Sequence, residues 1–144
     1  MDAAVDEFVT VSINDIAPGE TKSVALGGEP IIIRHLTEHQ LKVLRESPIR
    51  PFDDELSVDR RLLKFHNSER AINFVALNFL CPSSTAHQPA LISKAEDDLY
   101  FCSYSTERFD LLGRSMGKGF GDKPSQFIPK YELISETQLK LWAR

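Results

Sequence analysis

Gly27-Gly28-Glu29-Pro30-Ile31-Ile32-Ile33-Arg34 is the stretch that decides how this chain is read. Two glycines mark a turn, and the β-branched run after them is long enough for a strand buried on both sides and too short for a helix. Toward the N-terminus, Val9, Val11 and Ile13 alternate with polar residues and Pro18-Gly19 interrupts them. The first third therefore reads as strand, turn, strand. Toward the C-terminus, Thr37-Glu38-His39-Gln40 has the spacing of a capping box, and Leu41, Val43 and Leu44 follow at helical spacing. One helix starts there and ends before Pro48 and Pro51. Residues 52–70, with Asp53, Asp54, Glu55, Asp59, Arg60, Arg61 and Lys64, form a polar insertion with room for a short second helix. Its surface is expected to be solvated or to face a partner.

From Ala71 onward the pattern is β again. Ile72–Phe79, Leu91–Lys94, Leu99–Ser103, Arg108–Leu111, Phe127–Pro129, Glu132–Ile134 and Gln138–Trp142 are short runs separated by turn residues. The expected fold class is mainly β, an antiparallel β-sandwich or small barrels with one or two short helices inserted. No repeat or linker divides residues 1–144, so a single domain is expected.

At 144 residues, 42% hydrophobic and 26% charged, the composition is ordinary for a chain that buries a real core. A net charge of −4 with scattered Lys and Arg gives no footprint for nucleic acid or anionic lipid. No apolar run approaches a membrane span, and the acidic start Met1–Glu7 is unlike a secretory or transit sequence. Two cysteines are too few for a secreted disulfide scaffold. No Ser/His/Asp or Cys/His/Asn order stands out, and Asp53-Asp54 and Asp97-Asp98 sit in loop-like, charge-rich contexts. The chain carries no enzyme signature.

Val11-Ser12-Ile13, Asp15-Ile16 and Pro18-Gly19-Glu20, then Gly28 to Thr37, Tyr100-Phe101-Cys102, Phe109-Asp110, Gly113-Arg114, Lys118-Gly119 and Ile128 to Glu132 follow one another in a family order. In that order the chain resembles the Rieske iron–sulfur protein of cytochrome bc complexes from about Val9 to its end. The resemblance implies a Rieske-like fold in which about residues 71–129 form the cluster-binding subdomain. The family's loops read Cys-Thr-His-Leu-Gly-Cys-Val-Pro and Cys-Pro-Cys-His-Gly-Ser-His-Tyr-Asp. Two cysteines and two histidines hold a [2Fe–2S] cluster, and the other two cysteines join the loops.

Against that pattern Cys81 matches a ligand cysteine, Ser83 stands at a ligand histidine and Ala86 at a bridging cysteine. In the second loop Cys102 matches a bridging cysteine, while Tyr104 falls on the ligand cysteine and Ser105 on the ligand histidine. Glu107 and Phe109 replace the serine and tyrosine that tune the family's cluster. The resemblance therefore implies a degenerate site without its cluster, with no cofactor expected. Gly117-Lys118-Gly119-Phe120-Gly121 lacks the setting of a phosphate loop and reads as the family's loop beside the cluster, with Phe120 and Asp122 in place of prolines. His35, at the end of a buried-looking strand, is expected to pack or hydrogen-bond.

Cys81, His87 and Cys102 form a weak zinc set whose fourth ligand is hard to name, His66 being distant; ordinary buried or surface residues are the preferred reading. A Cys81–Cys102 disulfide is the second option for the thiols, and two free thiols behaving as small hydrophobes are the expectation. The functional expectation is a structural or assembly subunit of a respiratory-chain membrane complex, mitochondrial and peripheral to the inner membrane. The family's anchor and tether have no counterpart in this chain. Pro82, His87, Tyr104, Arg108 and Phe120 would offer an apolar tip with polar edges as the interface. The alternatives are an electron carrier with aberrant ligation and a free-standing, zinc-stabilised binding module.

Overall fold

The structure is a computed structural model that describes residues 7–46, 58–66, 68, 70–81, 92–96, 99–102, 108–116 and 126–143, with 92–96 described by backbone alone. Its elements in chain order are β1 (Phe8–Ser12), β2 (Thr21–Leu26), β3 (Glu29–His35), α1 (Glu38–Arg45), α2 (Val58–Arg61), β4 (Phe74–Asn78), β5 (Ile92–Glu96), β6 (Leu99–Cys102), β7 (Arg108–Phe109), β8 (Tyr131–Leu133) and β9 (Gln138–Trp142). Among the described residues the strands form three antiparallel three-stranded sheets, ordered β1-β9-β8, β2-β3-β4 and β5-β6-β7. The chain is mainly β, and the two helices are short.

Two compact units share the chain. The first takes Met1–Thr37, Leu62–Asn78 and Ile128–Arg144, and the second takes Glu38–Arg61 and Phe79–Phe127. In the first unit, alternation along the strands sends Val11, Leu139, Leu141 and Leu133 from one sheet, and Leu26, Ile31, Ile33, Phe74 and Ala76 from the other, into a common core with Ile13, Ile16 and Leu63. Strand β4 is buried at every position, which is why its sequence is an almost unbroken apolar run. His35 closes β3: its ring stacks on Phe74 at 4.2 Å between centroids, and Nδ1 donates to the Ile16 carbonyl at 2.8 Å. Lys22 on edge strand β2 donates to the Ser12 carbonyl and to Asp15, both at 2.7 Å, tying that edge to the end of β1. The same ammonium lowers the Asp15 carboxyl below its usual range.

The hairpin between β2 and β3 is a two-residue loop, Leu26 pairing with Glu29 across Gly27 (φ 63°) and Gly28 (φ 79°). Positive φ at both positions gives a loop twist that matches the strands, and glycine adopts it without the Cβ clash. Gly27 has a second reason to be glycine, because an added Cβ would meet the Ala143 Cβ at 3.0 Å.

In the second unit α1 starts one residue after Thr37, as its capping spacing requires, and buries Leu41 and Leu44. The expectation that the insertion's surface is solvated or faces a partner is corrected at α2, where Val58 and Arg61 are buried at the i, i+3 spacing of one helix face. Residues 127–129 form no strand. Pro129 has no N–H to give a ladder, so pairing resumes only at Tyr131. Strand β7 stops after two residues because Asp110 turns the chain.

Gly28→Ala is expected to cost about 1 kcal/mol through left-handed backbone strain alone. Gly27→Ala should cost visibly more, about 2 kcal/mol, by adding the contact with Ala143. Urea denaturation of the two variants compares them, and equal losses would refute the close-approach account.

Candidate functional site

The segment leaving β4 and the strand β6 bring the two cysteines together. β6 alternates Leu99, Tyr100, Phe101 and Cys102, which turns Tyr100 and Cys102 inward. Tyr100 meets Phe79 edge to face at 4.9 Å. Cys81 and Cys102, 2% and 0% exposed, form a disulfide with their Cα atoms 5.8 Å apart. This corrects the expectation of two free thiols. That Cα separation lies within the range a disulfide spans, and no spacing in the sequence reveals it.

The disulfide also removes both sulfur ligands from the set Cys81, His87 and Cys102, since disulfide sulfur offers no thiolate to zinc. The same chemistry decides the fit of a [2Fe–2S] cluster. Its iron needs cysteine thiolates, and the only two cysteines of the chain are bonded to each other. The residues present do not fit the cluster. Pro82, Ser83, His87, Tyr104, Ser105 and Phe120 lie outside the described residues. Arg108 is described and exposed on β7, and His66 is exposed in a turn. Among the described residues no group of three or more His, Cys, Asp or Glu gathers in metal-binding geometry.

Below the disulfide in chain order, a buried polar network holds the chain where it leaves β7. The Asp110 Oδ1 accepts the N–H groups of Leu112 and Arg114 at 2.9 and 3.0 Å, and its Oδ2 accepts Arg114 Nε at 2.7 Å. Arg114 then donates through Nη2 to the Leu44 carbonyl at the end of α1, at 2.9 Å. Gly113, at φ 77°, closes the turn that aims Arg114 back at Asp110. Arg61 comes from α2 and donates to the carbonyls of Leu112 (2.7 Å) and Gln126 (2.6 Å). Burial pulls the Arg61 guanidinium down to about 10; Asp110 opposes that shift and Arg114 adds to it. In the folded state this proton is held less tightly than in the unfolded chain. Burying the charge therefore opposes folding below pH about 10, and that cost recedes as pH rises above it into the ordinary arginine range.

Sequence reasoning placed Asp110, Gly113 and Arg114 only as resembling strings and placed Arg61 on a solvated surface. The one available signal was the apolar neighbourhood of Arg61, with Leu62 and Leu63 following it and Val58 one turn before. The arrangement ties α2 and the end of α1 to the turn after β7. Among those residues no helix is long and apolar enough to cross a membrane. Compared with known proteins, the chain matches no family model and no curated protein.

Two outcomes test this geometry. Opening the disulfide by Cys102→Ser should cost about 3 kcal/mol for a loop of this length, and the native protein should take up no iodoacetamide until it is both unfolded and reduced; alkylation of the folded protein would contradict the bond. Asp110→Asn should cost about 3–5 kcal/mol, because it leaves two buried guanidiniums without their carboxylate. Adding Arg114→Met should recover part of that loss in a double-mutant cycle, and strict additivity would refute the coupling.

Proposed function

We propose that this chain is a Rieske-like domain without a [2Fe–2S] cluster that serves as a structural or assembly subunit of a respiratory-chain membrane complex, mitochondrial and peripheral to the inner membrane. The observation that carries the reading is the disulfide between Cys81 and Cys102. A chain whose two thiols are joined has no thiolate to offer a cluster, and without a cluster it carries no electron. The bond lies where the resemblance puts the two cluster loops, so a covalent tie stands in for the metal that would otherwise hold them. A structural disulfide also supports residence in an oxidising compartment.

The buried network of Arg61, Asp110 and Arg114 supports the same reading. It spends its hydrogen-bonding groups on backbone carbonyls and on its own ion pair, which suits a scaffold. On this reading the chain is not itself an enzyme, needs no cofactor and binds neighbouring subunits through the loop tip. Arg108, exposed on β7, is the described member of that tip; Pro82, His87, Tyr104 and Phe120 complete it in sequence.

The test is made on protein purified anaerobically from its native source. Iron and acid-labile sulfide should be absent, mass spectrometry should find Cys81 joined to Cys102, and the chain should co-migrate with a large complex. Charge reversal at Arg108 combined with Tyr104→Ala should weaken that association. About two irons per chain with a Rieske-type reduced signal, or a chain migrating alone, would overturn the proposal.

A further inference from the structure

In the first unit, the face of the β1-β9-β8 sheet turned away from the core carries an arrangement that the fold does not need. Phe8 pairs with Trp142 in register, their ring centroids 6.2 Å apart, and Phe8 is 52% exposed. The Lys140 ammonium sits 4.1 Å from the Phe8 ring and 4.8 Å from the Trp142 ring. Lys130, whose carbonyl accepts the Trp142 N–H, places its own ammonium 4.9 Å from the same indole. Two cations thus share one ring. Glu132 stands directly across from Lys140 in the ladder, yet among the described residues neither lysine is paired with a carboxylate.

We infer that this face is a docking surface for a segment of a partner protein that presents a carboxylate beside an apolar side chain. An exposed cation–π contact is worth only about 0.5–1 kcal/mol, so the rings hold the ammonium groups in place without neutralising them. A carboxylate arriving over the sheet meets donors already ordered, which lowers the side-chain entropy it must overcome. Phe8 and Trp142 supply the aromatic anchors around which interface energy concentrates, and covering them strengthens the cation–π contacts by excluding water. Strands of five residues, β1 and β9, make a face about 17 Å long and roughly 10 Å across, the footprint of one extended segment or helix.

Magnitudes choose the partner's class. An anionic membrane returns about 1 kcal/mol per lysine. Two lysines fall short of the roughly four to eight that hold a protein to an anionic membrane, and the chain as a whole carries −4, so a lipid surface gains too little to hold it. A carboxylate desolvated against a positioned ammonium in a protein interface gains about 1.5 kcal/mol or more.

This inference rests on the reading of the chain as a subunit, and the experiment separates the two. In the native complex and in the isolated chain, Lys130 and Lys140 are labelled with an amine-acylating reagent, and a zero-length carbodiimide joins lysines to carboxylates in ion-pair contact. Labelling of both lysines should slow about tenfold or more in the complex, and the carbodiimide should join Lys130 or Lys140 to an acidic residue of a different protein. Lys130→Met with Lys140→Met, which keeps unbranched stems of nearly the same length and removes the charges, should weaken association about tenfold. A chain within a complex whose lysines label as fast as in isolation overturns this inference alone. A chain that migrates by itself overturns both readings. Cross-links between two copies of the chain, or charge-dependent sedimentation with phosphatidylcholine vesicles containing about a third phosphatidylserine, would replace the proposed partner and overturn it.

Discussion

The bond between Cys81 and Cys102 constrains the second unit more than any other contact in it. It fastens the segment after β4 to the end of β6, and its sulfurs are fully enclosed. The unit is small, and a unit of this size buries a smaller share of its surface than a larger domain does, so its packing leaves a narrow margin of stability. A covalent closure removes much of the unfolded chain's freedom, which suits a region whose regular structure among the described residues is one short sheet and two short helices. The same bond determines the chemistry. Joined sulfur binds neither iron nor zinc as a thiolate does, so the bond that closes the unit also withdraws both sulfurs as ligands.

The polar network around Asp110 does complementary work. Two guanidiniums and one carboxylate are buried with a net positive charge, an arrangement that costs desolvation energy and is tolerable only when each group is well hydrogen-bonded. Arg61 and Arg114 meet that condition by donating to carbonyls of Leu112, Gln126 and Leu44, chain segments that lie in turns or at a helix end. The arginines give these carbonyls buried donors. The network thus fixes irregular backbone alongside the buried side chains of Phe109, Leu111 and Leu112. The first unit needs no such device, because two sheets close over one core of aliphatic side chains.

The two candidate contact surfaces differ in kind. The loop tip, represented by exposed Arg108, belongs to the scaffold held by the disulfide and the Asp110 network. The aromatic and cationic face belongs to a sheet whose inner side already secures the fold. Phe8, Trp142, Lys130 and Lys140 therefore add nothing to the core, and their ordering relative to one another is the reason for assigning them a contact role.

Period-two alternation in β1 and β9, the unbroken apolar run of β4, the Gly27-Gly28 turn and the Thr37 helix start all act through neighbouring residues, and all were legible in the sequence. So was the mainly β class. Long-range pairing was not. Arg61 reads as a surface charge until α2 is seen to turn it toward carbonyls far away in the chain, and 127–129 reads as a strand until Pro129 is found where a ladder would need a donor. The fate of the two cysteines depended on pairing in the same way. Residue identity by itself determined that this chain has only two thiols and too few histidines in the right places for the cluster its pattern resembles. Only the tertiary structure decided that those thiols meet, because a contact between residues 21 positions apart depends on the path of the folded chain and not on residue identity.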